Sequence, residues 1–233
     1  KSSPFGVVSS FLIGISHSAV FSLIAVYATS MNFSILEVSI VTFLFAISGA
    51  ISQWPIGKLS DVLDRRIVII YTTFGAALFC FLAIISSGQM YMPAGLATSK
   101  LFFYICIMCF SFCSLPMFAL IFAHTNDFIP KEKFVAAGAG LQFVFGLGAI
   151  CGPFMCSLFM EFLGENGFFI FLIIFHSFIG LFGIYRMQIR ESGDNPDSQF
   201  APMPQTITPA GIELNPSTEP IDEPNNLNEF KKI

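Results

Sequence analysis

The chain has 233 residues, 55 % of them hydrophobic and only 11 % charged, with a mean hydropathy of +0.76. A soluble domain of that size needs more polar surface to cover itself, so the composition excludes a water-soluble globule and selects the membrane class. The formal net charge of −4 carries no message about nucleic acid, because eight of the 15 acids lie from Glu191 onward.

Six runs are long and apolar enough to cross a hydrocarbon core of about 30 Å, which takes roughly 20 helical residues. They lie near 5–29, 36–56, 67–87, 99–123, 135–161 and 167–187. The runs lack period-two alternation and are too long for barrel strands, so the expected fold is an all-α membrane protein. The first run is too long for a signal peptide and has no small-residue cleavage site after it. It carries His17 at its middle, between Ser16 and Ser18. The second ends with Gln53 and Trp54, where an aromatic anchor at the membrane surface is the simplest account. Between the second and third runs stands "GKLSDVLDRR", residues 57–66, a charged patch between two apolar stretches.

The fourth run contains Ser111, Ser114 and a break at Pro116, a plausible polar patch in a cavity wall. Its Cys106, Cys109 and Cys113 share one helical face at i, i+3 and i+7. Those three, with Cys80, Cys151 and Cys156, all fall inside predicted spans. They read as packing residues, and no metal is expected because a closed ligand set with His or acidic partners is missing. His124, Asn126 and Asp127 follow at the rim, about 40 Å along the fourth helix at 1.5 Å per residue. Asp127 is a candidate to close a gate with Lys131 or Lys133, or to cap the helix that Pro130 begins. The fifth run holds Gln142 and then Gly148-x-x-x-Gly152-Pro153. That glycine spacing lets two backbones approach closely, and the proline removes a helical hydrogen bond. The sixth run carries His176 near its middle. Ionisable groups deep in a membrane are functional candidates by default, although a neutral histidine bonded to a neighbouring helix is the plainer account of each.

Lysine and arginine set the orientation. Lys1, Lys58, Arg65, Arg66, Lys131, Lys133, Arg186, Arg190, Lys231 and Lys232 fall on one side, and Lys100 alone on the other. That bias puts both ends of the chain and residues 57–66 in the cytoplasm. From Glu191 the composition turns to Pro, Asn, Ser and acids, so residues 188–233 read as a disordered cytoplasmic tail. No Walker loop, HExxH motif or paired intramembrane aspartates appear, so neither an ATP-driven pump nor a membrane protease of those types is expected. The chain reads as no enzyme and calls for no cofactor.

"GKLSDVLDRR" resembles the signature loop of the major facilitator superfamily, G-x-L-x-D-R-x-G-R-(R/K). Gly57, Leu59, Asp61, Arg65 and Arg66 match, while Val62 replaces an Arg and Asp64 stands at a Gly position. "AHTND" at 123–127, "VAAGAGLQFVFGLGAICGPF" at 135–154 and "QWPIGKLSD" at 53–61 look like the carboxy-terminal half of the YcaD-like branch. The likeness covers residues 5–187. It implies one six-helix half of a twelve-helix secondary transporter, here helices seven to twelve, with the amino-terminal half as its missing partner. It implies a small-molecule substrate, moved by alternating access with proton or ion coupling, in the inner membrane of a bacterium. The rivals are a lipid or multidrug exporter, and a non-transporting scaffold or receptor acting through the tail. First and fourth helices would line the cavity and third and sixth would face lipid, which favours His17 over His176 as a substrate or proton site. Asp61 would latch onto a helix of the other half, while Arg65 and Arg66 would latch or merely anchor topology.

Overall fold

The computed structural model describes residues 3–86, 100–189, 193, 200 and 202. Among the described residues, seven α-helices form six spans: α1 (Pro4–Ser30), α2 (Ile35–Val62), α3 (Arg65–Ser86), α4 (Lys100–Ser114), α5 (Met117–Asn126), α6 (Phe134–Leu163) and α7 (Gly167–Ile189). α4 and α5 are one membrane-length helix interrupted at Leu115–Pro116, and a 3-10 turn, Lys131–Lys133, leads into α6. Each span is long and apolar enough to cross a membrane, and among the described residues there is no strand. The fold is all-α, as composition and run length predict.

Local chemistry sets the ends. Ser3 caps α1 by accepting from the Gly6 N–H at 3.2 Å, and Pro4 takes the first helical position, where no donor is needed. Ser34 and Glu37 form a reciprocal capping box at the start of α2. Gly164, with φ +67°, ends α6 in a conformation that side chains disfavour. Several helix ends differ from the sequence expectation, that of α2 most. α2 runs to Val62 instead of stopping near 56, so most of the 57–66 patch is helical and only Leu63 and Asp64 link α2 to α3. Loss of apolar residues ends the membrane-buried part of a helix, but its backbone hydrogen bonds continue into water, and Ser60 here bonds back to the Gly57 carbonyl at 2.8 Å. α5 likewise continues to Asn126, three residues past the expected end, and α6 and α7 to Leu163 and Ile189, two past theirs.

The α4–α5 span is the central rod: 72 % of its most apolar stretch is buried, against 28 % for α2 and 22 % for the α6 span. α1 makes its largest contact with α6, and α3 packs on α7 and α4. The α1–α6 contact depends on bare backbone. A Cβ at Gly14 would stand 2.2 Å from the Phe145 carbonyl oxygen, one at Gly148 2.2 Å from that of Phe11, and one at Gly152 2.2 Å from that of Ile15. The Gly148-x-x-x-Gly152 spacing is thus the α6 side of a crossing that no side chain fits. Pro153 sits inside α6, and Pro55 inside α2. α2 and α6 keep broad apolar outer faces, including Phe43, Ile51 and Trp54 on one and Phe143, Ile150 and Phe154 on the other. Trp54 also stacks under the Lys58 ammonium, 4.2 Å from the ring centre.

All six cysteines are free, with Cys80, Cys106 and Cys156 buried. Cys113 packs toward Gly75 of α3. Beyond Ile189, the tail outside Gly193, Phe200 and Pro202 lies outside the described residues, as do Lys1, Arg190, Lys231 and Lys232.

Candidate functional site

Two polar constellations interrupt this apolar bundle, one near mid-span and one at the end that carries most of the basic residues. The first begins with the break in the fourth span. Proline has no N–H to donate, and a helix end leaves its last carbonyls without intrahelical donors. The α5 ladder starts afresh with Leu120 N–H bonding to the Pro116 carbonyl at 3.0 Å. Just before that gap, the Ser114 carbonyl is met by His17 of α1, whose Nε2 lies 3.1 Å from both that oxygen and the Ser114 hydroxyl. The same hydroxyl lies 2.8 Å from Nε2 of His176 on α7. His176 Nδ1 is 2.9 Å from the Leu172 carbonyl and 3.3 Å from the Ser16 hydroxyl. His17, His176, Ser16 and Ser114 are all buried.

The acceptors assign the hydrogens. A carbonyl only accepts, so His176 carries its proton on Nδ1 and donates it to Leu172. Its Nε2 is then an acceptor, and the Ser114 hydroxyl donates to it. His17 Nε2 faces the Ser114 carbonyl, so it carries a proton and donates toward Ser114. The result is a directed chain: His17 to Ser114 to His176 to the Leu172 carbonyl. It ties α1, α4 and α7 together at one depth, and each bond in it points the same way. Rings surround it: Phe145 lies edge-on to His17 and Phe110 edge-on to His176, with centroids 6.3 Å and 5.6 Å apart.

The candidate residues of this depth are therefore divided. His17 and Ser114 come together. Ser111, also buried, donates its hydroxyl to the Phe45 carbonyl and ties α4 to α2. Gln142 is half-buried on α6, one turn before Phe145. His176, which the resemblance puts on a lipid-facing helix, is buried and completes the chain. The sequence signal for it was its depth: two histidines near the middles of two spans, each in an otherwise apolar run.

The second constellation lies at the junction of α2 and α3. Arg65 is the first residue of α3 and nearly buried, and it bridges three elements. Its guanidinium pairs with Asp61 at 2.9 Å and with Asp127, and donates to the Ala123 carbonyl at 3.1 Å. Arg66 grips Asp64, with Nη2–Oδ2 at 2.7 Å and Nε–Oδ1 at 3.1 Å, while its own N–H donates to Asp64 at 2.9 Å. Burial pushes the Asp64 carboxyl up. The Arg66 hydrogen bonds and charge, with a smaller contribution from His124, outweigh it and hold the group below the usual carboxylate value. His124 Nδ1 is 4.0 Å from Asp127, and its ring lies edge-on to Phe5 and Phe128, both at 5.1 Å. Asn126 is buried beside them. Asp127 thus pairs with Arg65 across the bundle, and no side chain caps the 3-10 turn after Pro130. Arg66, His124 and Arg186 share a shallow cleft with Phe5 at the start of α1. At the opposite end Lys100 pairs with Glu37. Gly57 and Asp61 have a further neighbour: Phe200 lays its ring over the glycine and donates its backbone N–H to Asp61 at 2.9 Å. Leu59 is exposed.

Among the described residues, no group of three or more His, Cys, Asp or Glu side chains is arranged to hold a metal ion.

Comparison with known proteins agrees with this architecture. The sequence profile of the Major Facilitator Superfamily matches residues 6–221. The uncharacterized MFS-type transporter YE1530 of Yersinia enterocolitica is 23 % identical over 201 residues, 86 % of this chain and 47 % of that protein. The uncharacterized MFS-type transporter YfkF of Bacillus subtilis is 27 % identical over 154 residues, 64 % of this chain and 35 % of the relative. A third, Ent638_1421 of Enterobacter sp., is 24 % identical over 191 residues, covering 82 % of this chain and 45 % of its own. The chain spans about half the length, or less, of these curated relatives. No solved structure matches it.

Proposed function

The chain belongs to the major facilitator superfamily, and from that premise we propose that it works in secondary active transport of a small molecule, by alternating access and with proton coupling. The observation that carries the reading is the buried His17–Ser114–His176 chain. An apolar bundle needs no such group for stability, because polar side chains inside a membrane are expensive to bury. Small shifts of hydrogen along such a chain can carry a proton from His17 through the Ser114 hydroxyl to His176. The His176 Nδ1 proton has the Ser16 hydroxyl, 3.3 Å away, as its next acceptor. The chain lies where the fourth span is already broken at Pro116, so a tilt of α5 against α4 would change the distance from Ser114 to His17. Movement and protonation would then be linked at the same atoms.

The Asp61–Arg65–Asp127 cluster is the second half of the proposal. A near-buried arginine between two acids holds α2, α3 and α5 together at one end, and breaking any contact leaves charge unpaired. Such a cluster has discrete made and broken states, which an alternating-access device uses as a latch. In this reading residues 57–66 face the cytoplasm of a bacterial inner membrane, both ends of the chain lie on that side, and a second six-helix bundle meets the exposed apolar faces of α2 and α6. The branch expected from the sequence motifs, YcaD-like, belongs to the same proposal.

The test is uptake by membrane vesicles with and without an imposed pH gradient, across panels of sugars, small acids, drugs and peptides. Wild-type protein should show gradient-stimulated uptake of some panel member. His17→Ala, Ser114→Ala and His176→Gln should lose most of that stimulation and keep substrate exchange at equal pH. Gradient dependence unchanged in all three variants would reduce the chain to packing and remove the proton coupling.

A further inference from the structure

At the end of the bundle that carries Asp61, Gly57 of α2 and an apolar cluster of α5 and α6 lie on either side of a groove that holds the Phe200 ring. Gly57 forms one wall. Ala119 and Phe122 of α5, with Leu141 and Val135 of α6, form an apolar cluster on the other side. Asp61 stands on the rim, its side chain about a third exposed. A groove of this kind has an apolar notch and one carboxylate acceptor, so it fits an aromatic side chain whose own backbone offers an N–H.

We propose that this groove is a docking site for the chain's own Phe200, which plugs it and takes up Asp61. Three independent contacts carry the assignment. The Phe200 backbone N–H donates to Asp61 Oδ1 at 2.9 Å. Its ring lies so close to Gly57 that a Cβ there would stand 2.2 Å from Phe200 Cδ1. The ring also packs against two separate apolar clusters, the one of α5 and α6 and the one that contains Ile56, Met117 and Leu120. Upstream, Gly193 lies against Asp127, where an added Cβ would come within 2.7 Å of the Asp127 Cβ and carbonyl oxygen. Gly193 and Phe200, seven residues apart in sequence, therefore each touch one of the two acids that flank Arg65.

The consequence rests on the transport reading; the contact does not. While Phe200 is seated, the Gly57 wall is covered and Asp61 Oδ1 accepts from Phe200 as well as Arg65, so a second bundle cannot use them in the same way. The plug and the second bundle compete for one acceptor. Release of the plug leaves Asp61 Oδ1 to Arg65 alone, and its return covers Gly57 again.

The experiment is cysteine labelling of the intact protein in inside-out membrane vesicles. Val135→Cys supplies the reporter, and the same protein without that substitution supplies the background from the six native cysteines. With Phe200 present, a membrane-impermeant maleimide should react slowly at position 135. Phe200→Ala should speed the reaction by about tenfold, the order set by the apolar surface of one half-buried ring. Gly57→Ala should do the same from the other side of the contact, because its methyl takes the space of the ring. Pro202→Ala, at an exposed position, should leave the rate unchanged. Unchanged labelling in both Phe200→Ala and Gly57→Ala would mean that something else covers this face, and the proposal would be overturned. An equal increase from Pro202→Ala would also overturn it, since the effect would belong to the tail in general. Labelling uses no substrate, so failure here and failure of proton-coupled uptake are separate results.

Discussion

The α1–α6 crossing offers the sharpest quantitative test, because two glycines two residues apart on one helix predict opposite outcomes. A Cβ at Gly148 would lie 2.2 Å from the Phe11 carbonyl oxygen, 3.0 Å from the Ile15 nitrogen and 3.1 Å from the Phe11 carbonyl carbon. Close C···O contacts settle near 3.3–3.6 Å, so α1 and α6 must part by roughly 1 Å to admit a methyl. A gap of that size forfeits about a quarter to a half of the dispersion well for each separated atom pair, across the most extensive helix pair in the bundle. Gly148→Ala should therefore cost about 1–3 kcal/mol, the usual range for an overpacked contact. Gly146 has no atom within 4 Å of its Cβ position. Gly146→Ala should gain up to about 1 kcal/mol from helix propensity.

The assay is thermal unfolding of purified protein in detergent, followed by reaction of the buried Cys80, Cys106 and Cys156 with a fluorogenic maleimide. At about 2–4 °C per kcal/mol for a chain of this size, Gly148→Ala should melt roughly 2–12 °C lower and Gly146→Ala no lower than wild type. Equal melting temperatures for the two variants would refute the argument that backbone approach at Gly148 holds α1 to α6.

Other outcomes follow from the polar contacts. Asp61→Asn should cripple turnover while leaving substrate binding comparatively intact, measured as uptake rate against equilibrium binding; wild-type turnover would remove the latch. Arg65→Ala leaves Asp61 and Asp127 facing each other with no cation between them, and should cost about 3–5 kcal/mol, as loss of one partner from a buried ion pair does. The same thermal assay reads it, and a loss under about 1 kcal/mol would show the cluster to be solvated. Asp64 is held below its ordinary value, so its pairing with Arg66 contributes stability above about pH 4, and that contribution is lost as pH falls further. A melting curve measured from pH 7 down to pH 3 should therefore drop less in Asp64→Asn than in wild type. Ser34→Ala removes the capping box of α2 and should cost about 1 kcal/mol, seen as faster amide exchange in residues 35–38.

Much of this architecture is legible in the sequence alone. Lipid offers no hydrogen bonds to a bare backbone, so six apolar runs of membrane length admit only helices, and their number and order follow. The small-residue spacing at Gly148 and Gly152 and the break at Pro116 are local properties of the chain, and they lie at the α1–α6 crossing and between α4 and α5. The bias of Lys and Arg to one set of loops is equally local. The structure gathers Arg65, Arg66, His124 and Arg186 at one end and leaves Lys100 with Glu37 at the other.

Partnerships across helices were decided only by tertiary packing. His17 and His176 are 159 residues apart in sequence, and no periodicity relates them; they meet because α1 and α7 both pack near the gap that Pro116 opens in the central span. Asp127 has lysines four and six residues away, yet it pairs with an arginine 62 residues upstream, because α3 starts beside the end of α5. The tail shows the same limit. Its composition foretells little burial, and nothing in it marks Phe200, whose place depends on a bare glycine and on a carboxylate oxygen shared with Arg65, both supplied by other helices. Solvent fixes which segments become rods, whereas the matching of shapes and charges between rods fixes which of their few polar atoms meet.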